Sequence, residues 1–158
     1  MTEFLELHVT QILTNLREVL IAYFLTLPIA WDRERTSVSA GLRTFPLVAV
    51  ASAGFVLVSE HVIGSNGAER ARILQGLMTG IGFIGGGAIV KSGTSVRGTA
   101  TAASIWVTAA IGAAVAYRLY DLAIMLAIIV YATLRWMMPF KKTDEHEPDE
   151  EGNGHSRQ

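Results

Sequence analysis

The chain has 158 residues, the length of one domain, and its 51% hydrophobic against 17% charged residues make it more apolar than an ordinary soluble domain. A net charge of −1, with no basic patch interleaved with aromatics, argues against a nucleic-acid partner. The absence of cysteine excludes disulfides, thiolate metal sites and cysteine nucleophiles.

The charges are gathered between five apolar blocks, at 12–31, 44–61, 73–90, 98–116 and 122–140. Each block is near the ~20 residues that carry a helix across a bilayer's hydrocarbon core. So many blocks in a row cannot all be buried inside so small a soluble protein. The fold expected is an all-α integral membrane protein: a bundle of about five transmembrane helices within residues 1–142, with a glycine-rich third helix.

The N-terminal "MTEFLELHVTQIL" carries Glu3 and Glu6 and no early Lys or Arg, so it does not read as a cleaved signal. Leu5, Val9, Ile12 and Leu16 fall at helical spacing, as in an amphipathic segment lying on a membrane surface before the first span. Asn15, Arg17 and Glu18 lie in the outer part of that span, where Glu18 with Arg118, or Arg17 with Asp121, would make ion pairs. With five spans, Arg33, Arg35, Arg43, Lys91, Arg97, Arg135, Lys141 and Lys142 fall on one side, and Arg17, Arg70, Arg72 and Arg118 on the other. The excess of short-loop cations makes the first side cytoplasmic, with the N-terminus outside and the C-terminus inside. The final residues, 143–158, are polar throughout and are expected to form a disordered acidic tail.

The third block runs through a short polar segment into the fourth, and the whole stretch, "GLMTGIGFIGGGAIVKSGTSVRGTATAASIWVTAAIG", is rich in glycine but has no proline and almost no charge. A phosphate cradle is excluded, because Val90 rather than glycine precedes Lys91-Ser92 and no strand leads into Gly80, Gly82 and Gly85. On a helix at 100° per residue, Gly76, Gly80 and Gly87 share one face beside Phe83, while Gln75, Thr79, Gly82 and Gly86 share a second. Gly76/Gly80 and Gly82/Gly86 are GxxxG pairs, the spacing by which membrane helices approach closely. The third helix is therefore expected to be packed on two sides, with a homodimer formed near Gly76 and Gly80. In the fourth block Thr101, Ser104 and Thr108 stack on one face, placed either to bond across to Gln75 or Thr79 or to bond carbonyls of their own helix. "KSGTSVRGT" between the blocks is read as the turn of a tight helical hairpin, with Ser92, Thr94, Ser95 and Thr99 available as caps.

Two of these stretches resemble a known family. "GIGFIGGGAIVKSGTSVRGTATAASIWVTAAIG" and "WDRERTSVSAGLRTFPLVAV" are similar, in the same order, to the two signatures of the MgtC/SapB family of bacterial membrane proteins. The similarity covers residues 20–115, and the fifth block loosely. Ala30 stands where that family usually has glycine, and Asp32 where it usually has glutamate. Longer members carry a soluble C-terminal regulatory domain, and the chain resembles a short form without it. The resemblance implies an inner-membrane protein of about five spans, linked to growth in low magnesium, to survival of pathogens inside macrophages and to restraint of the F-type ATP synthase.

Asp32, Arg33, Glu34, Arg35, Arg43, Lys91 and Arg97 are expected to meet at the cytoplasmic face. They read first as interfacial ion pairs, with Arg43 and Arg97 reaching Asp32 or Glu34 across the hairpins. The alternative is a binding site, for an anionic lipid headgroup at the arginines or for a hydrated Mg²⁺, which needs only one or two carboxylates, with Asp32 and Glu34 as its weak candidates. There is no Ser/His/Asp arrangement and no HExxH, so the function expected is non-enzymatic and without a cofactor. It is regulation of another membrane system through helix contacts in the bilayer, with a transporter of Mg²⁺ or another small solute as the alternative.

Overall fold

The computed structural model describes residues 2–36, 40–63, 67–93 and 95–137. The tail expected at 143–158 lies outside the described residues. Five helices are present among them: α1 (Thr2–Thr36), α2 (Thr44–Ile63), α3 (Gly67–Gly87), α4 (Thr99–Ala116) and α5 (Tyr120–Trp136). A two-stranded ribbon, β1 (Val90–Ser92) and β2 (Ser95–Arg97), joins α3 to α4. α1 over His8–Thr36, α2 over Thr44–Val62 and α4 over Thr99–Ala116 are long and apolar enough to cross a membrane. α3 is more polar at its start, where Glu69, Arg70 and Arg72 fall, and α5 has 17 residues, about 25 Å of helix.

α1 departs from the expected first span at both ends. The amphipathic lead-in and the run Asp32–Thr36 continue the same helix, which reaches 35 residues or about 52 Å, longer than a hydrocarbon core of ~30 Å. Nothing in the sequence stops it earlier, since Pro28 is its one breaker and proline is tolerated inside a membrane helix. Glu18 and Asp32 are 14 residues apart on this rod, about 21 Å, so its two charged clusters sit toward opposite faces of the core.

The centre of the bundle is α4, which touches all four other helices. Its buried positions include Thr101, Ala102, Ser104, Ile105, Thr108, Ala109 and every residue from Ile111 to Ala116. Gly112 is the closest approach: a Cβ there would run into the backbone of Ala49 in α2. In a bilayer, where lipid tails are as apolar as leucine, such backbone contact supplies the dispersion energy that holds helices together. Three of the buried hydroxyls bond within their own helix rather than across to another. Thr26 donates to Ala22 O at 3.1 Å, Ser52 to Val48 O at 2.8 Å and Ser104 to Ala100 O at 2.7 Å, each within its own helix.

The connection between α3 and α4 corrects the expected helical hairpin turn. α3 tightens at its end, with Ala88 N donating to Gly85 O at 3.0 Å and Ile89 N to Gly86 O at 3.1 Å, and the chain then pairs antiparallel. Val90 faces Arg97, Lys91 faces Val96 and Ser92 faces Ser95 across a two-residue loop that begins at Gly93, with φ 59°. β-Branched Val90 and Val96 favour the pleated backbone over one more helical turn. Among the described residues no side chain caps α4. Its N-cap is Gly98, with φ 88°, placed so that a Cβ would collide with the carbonyl of Ala88. At the other end Arg118 takes φ 60° in a Schellman turn, with Leu119 N donating to Ala114 O at 2.9 Å.

Candidate functional site

α3 is the helix that the rest of the bundle leaves bare. Among its described residues Ile81 and Gly85 are buried, and Gly85 meets Ala102 and Trp106 of α4. Gly76, Gly80, Gly86 and Gly87 are exposed, and a Cβ added at any of the four would meet nothing within 4 Å. Gly82 comes near only Trp106 Nε1, at 4.0 Å. Gln75 and Thr79 are also exposed, and the Thr79 hydroxyl donates to Gln75 O at 2.9 Å. The expected meeting of Gln75 and Thr79 with Thr101, Ser104 and Thr108 is therefore not formed, because the first group faces out of the bundle and the second lies inside it. Where α3 does meet α4, Trp106 lies beside Gly82 and Gly85.

Between α2 and α3 an open groove of about 820 Å³ runs past Gly76 and Gly80. Its walls are almost wholly apolar, and Arg43 and Arg72 stand at its two ends.

At the end of the bundle where α1 finishes, the seven expected charges are only partly brought together. Arg33 Nη2 donates to Asp32 Oδ2 at 2.8 Å, with both side chains buried. Glu34 Oε2 accepts from the backbone N–H of Leu42 at 2.8 Å, closing the chain back toward α2. Arg35 lies over the ring of Trp31, 4.8 Å from its centroid. Arg43, Lys91 and Arg97 are exposed and form no ion pair among the described residues, which corrects the expected bridges to Asp32 and Glu34. Asp32 and Glu34 are thus each engaged by a protein donor, and among the described residues no three His, Asp or Glu side chains converge.

The opposite cluster is tighter than its sequence suggests. Glu18 is 1% exposed; it accepts from Arg17 Nη2 at 2.6 Å and from the Tyr120 hydroxyl, which lies 2.7 Å from both carboxylate oxygens. Neither expected pair, Glu18 with Arg118 or Arg17 with Asp121, is formed. Tyr120 is legible from the sequence as an aromatic anchor at the outer interface, but its bond to Glu18 was not expected. Gly98 and Gly112 are where the backbone most needs glycine, and the closeness of their neighbours is visible only in the fold, because each neighbour is a distant carbonyl.

The comparisons with known proteins agree with this architecture. A family model described as the MgtC family matches residues 19–143. YhiD of Escherichia coli strain K12, whose name marks it provisionally as a magnesium transporter, is 36% identical over 112 residues, covering 67% of this chain and 52% of that protein. Protein SrpB of Synechococcus elongatus is 36% identical over 136 residues, 78% of this chain and 73% of that protein. Protein MgtC of Brucella abortus is 37% identical over 111 residues, 70% of this chain and 46% of that protein. The chain thus spans about half the length of YhiD and of the Brucella protein. No solved structure matches it.

Proposed function

The chain belongs to the MgtC family, and from that premise we propose that it is a non-enzymatic regulator of another membrane assembly, acting through helix contacts in the inner membrane. The system regulated is the F-type ATP synthase or an ion-handling protein needed in low magnesium. The observation that supports this reading is the outward face of α3. Gln75, Thr79 and Gly86 form an exposed strip that no described residue covers, next to Gly82. A helix of a second copy or of a partner can lie against such a strip, backbone to backbone.

The cationic end holding Arg35, Arg43, Lys91 and Arg97 is cytoplasmic in this proposal, following the positive-inside rule. Single cysteines at Thr36, Glu69 and Ser95, all exposed, check it in intact cells. An impermeant thiol reagent should label only the cysteine at Glu69, and labelling at Ser95 would invert the topology.

The functional test replaces Thr79 and Gly86 by leucine, which fills the strip without touching the bundle. Membranes carrying Thr79→Leu/Gly86→Leu should keep wild-type protein levels and lose both the crosslinked second copy or partner and any effect on proton-driven ATP synthesis. Retained contacts and retained regulation would sink the reading. Mg²⁺ flux through the purified protein in liposomes would replace it with transport, the activity that the name of YhiD suggests for that relative.

A further inference from the structure

We propose that the groove between α2 and α3 binds one anionic phospholipid, its phosphate on Arg43 and an acyl chain lying past Gly76 and Gly80. This does not rest on the helix docking described above, which uses the other side of α3 beyond Phe83.

The groove is shaped for a chain rather than a side chain. Leu47, Phe55, Ile73, Leu77 and Ile84 line it, and Gly76 and Gly80 deepen it where any Cβ would reduce its width. Its neutral polar members are Thr44 and Ser52, and the Ser52 hydroxyl is already donated to Val48 O at 2.8 Å. Water has little to bond there. From Arg43 to Phe55 the α2 wall rises about 18 Å, close to the ~15 Å of one leaflet's hydrocarbon.

Charge selects the occupant. No carboxylate lines the groove, while Arg43 and Arg72 stand at its ends, exposed and without an ion pair among the described residues. An apolar body with an anionic head complements these walls. A second copy does not, because α3 packed on α3 about a two-fold axis along the membrane normal would set Arg72 against Arg72. Arg43 takes the phosphate because the end of the bundle it marks also carries Arg35, Lys91 and Arg97, so the positive field is stronger there.

The experiment uses the purified full chain with dioleoylphosphatidylglycerol and dioleoylphosphatidylcholine, which share acyl chains and differ in net charge. Native mass spectrometry counts the lipid retained, and thermal unfolding in detergent reports the fold. Wild type should retain phosphatidylglycerol over phosphatidylcholine by at least about fivefold. Arg43→Gln should bring the ratio to parity, and Arg72→Gln should leave it unchanged. Gly80→Leu should lower retention of both lipids with no loss of melting temperature in lipid-free detergent. Equal retention by wild type, a preference that survives Arg43→Gln, or a preference lost only in Arg72→Gln would each overturn the site. So would a Gly80→Leu protein that keeps its lipid but loses its crosslinked dimer, since the groove would then belong to a second copy.

Discussion

α3 and α4 come from one continuous stretch, are similar in length and are both rich in small residues, yet they end in opposite situations. α4 buries most of its surface, and at Gly112 it touches the backbone of α2. α3 buries Ile81 and Gly85 and presents five of its glycines to empty space. A glycine in a membrane helix permits close approach but does not supply the neighbour. α4 obtains neighbours on most sides because α1, α2, α3 and α5 all pack against it, leaving exposed a stripe of Ala103, Trp106 and Ala110. α3 meets the bundle along one edge, through Gly85 and Trp106, and its remaining small residues are left for lipid or for another protein.

The sharpest way to break this comparison is to put the same large side chain on each helix. Gly112→Leu forces a side chain into the Ala49 carbonyl and should destabilise the protein by at least about 3 kcal/mol, the severe end of overpacking. Gly80→Leu enters open space and should stay within about 1 kcal/mol of wild type, aided by leucine's better helix propensity. Equilibrium unfolding in detergent, followed by circular dichroism, measures both. Comparable losses would mean that α3 is packed against something as tightly as α4 is.

α5 packs against both α4 and α1, and the Glu18 cluster ties it to α1. Removing one member of a buried, hydrogen-bonded charge cluster typically costs ~3 kcal/mol or more, whereas one hydrogen bond to a charged group is worth ~1.5–3 kcal/mol. Glu18→Ala should therefore destabilise more than Tyr120→Phe, and the double variant should lose less than the sum of the two. Strict additivity would show that the 2.7 Å contacts between Tyr120 and Glu18 contribute nothing.

On the exposed side effects should shrink. Glu34→Ala removes the acceptor of the Leu42 N–H and should cost about 1 kcal/mol. Arg97→Ala, at an exposed ribbon position without an ion pair among the described residues, should change stability by less than about 0.5 kcal/mol. Exchanging the two charges should rescue nothing. Recovery in a charge-reversed pair would restore the bridge that the sequence led one to expect.

Several of these features were open to sequence reasoning and others were not, for identifiable reasons. Five apolar blocks gave five helices because hydropathy is a one-dimensional property. The 100° periodicity puts Gly76 and Gly80 on one side of Phe83 and Thr79 and Gly86 on the other, and Gly76 and Gly80 line the groove beside α2. What meets those faces is a question about distant chain: Trp106 approaches Gly82 and Gly85, while Gly76, Gly80 and Gly86 stay open, which no wheel shows. The ion pairs were hidden differently. Neighbouring residues on a helix point about 100° apart, so partners for Asp32 and Glu18 were sought across hairpins. The guanidinium stems of Arg33 and Arg17 are long enough to bend back, and both carboxylates are satisfied by the adjacent residue. The ribbon escaped notice because three-residue strands are too short for any alternation to be read.

The smallest effect is expected at the turn that separates α4 from α5, and its sign is the informative part. Arg118 is the one described non-glycine residue with positive φ, 60°, at the Schellman position that glycine usually occupies. The left-handed conformation costs an L-residue ~1–2 kcal/mol, because Cβ crowds the following carbonyl. Glycine would relieve that crowding, but its freer unfolded chain gives back ~0.4–1 kcal/mol. Arg118 is exposed and makes no ion pair among the described residues, so its charge leaves nothing behind. Arg118→Gly should therefore stabilise by about 0.5 kcal/mol, a rise of a degree or two in melting temperature. Arg118→Ala keeps the strain and should gain nothing. A loss of stability in both variants would mean that the guanidinium reaches Glu18 after all, and that the clamp on α5 has three members rather than Arg17, Glu18 and Tyr120 alone.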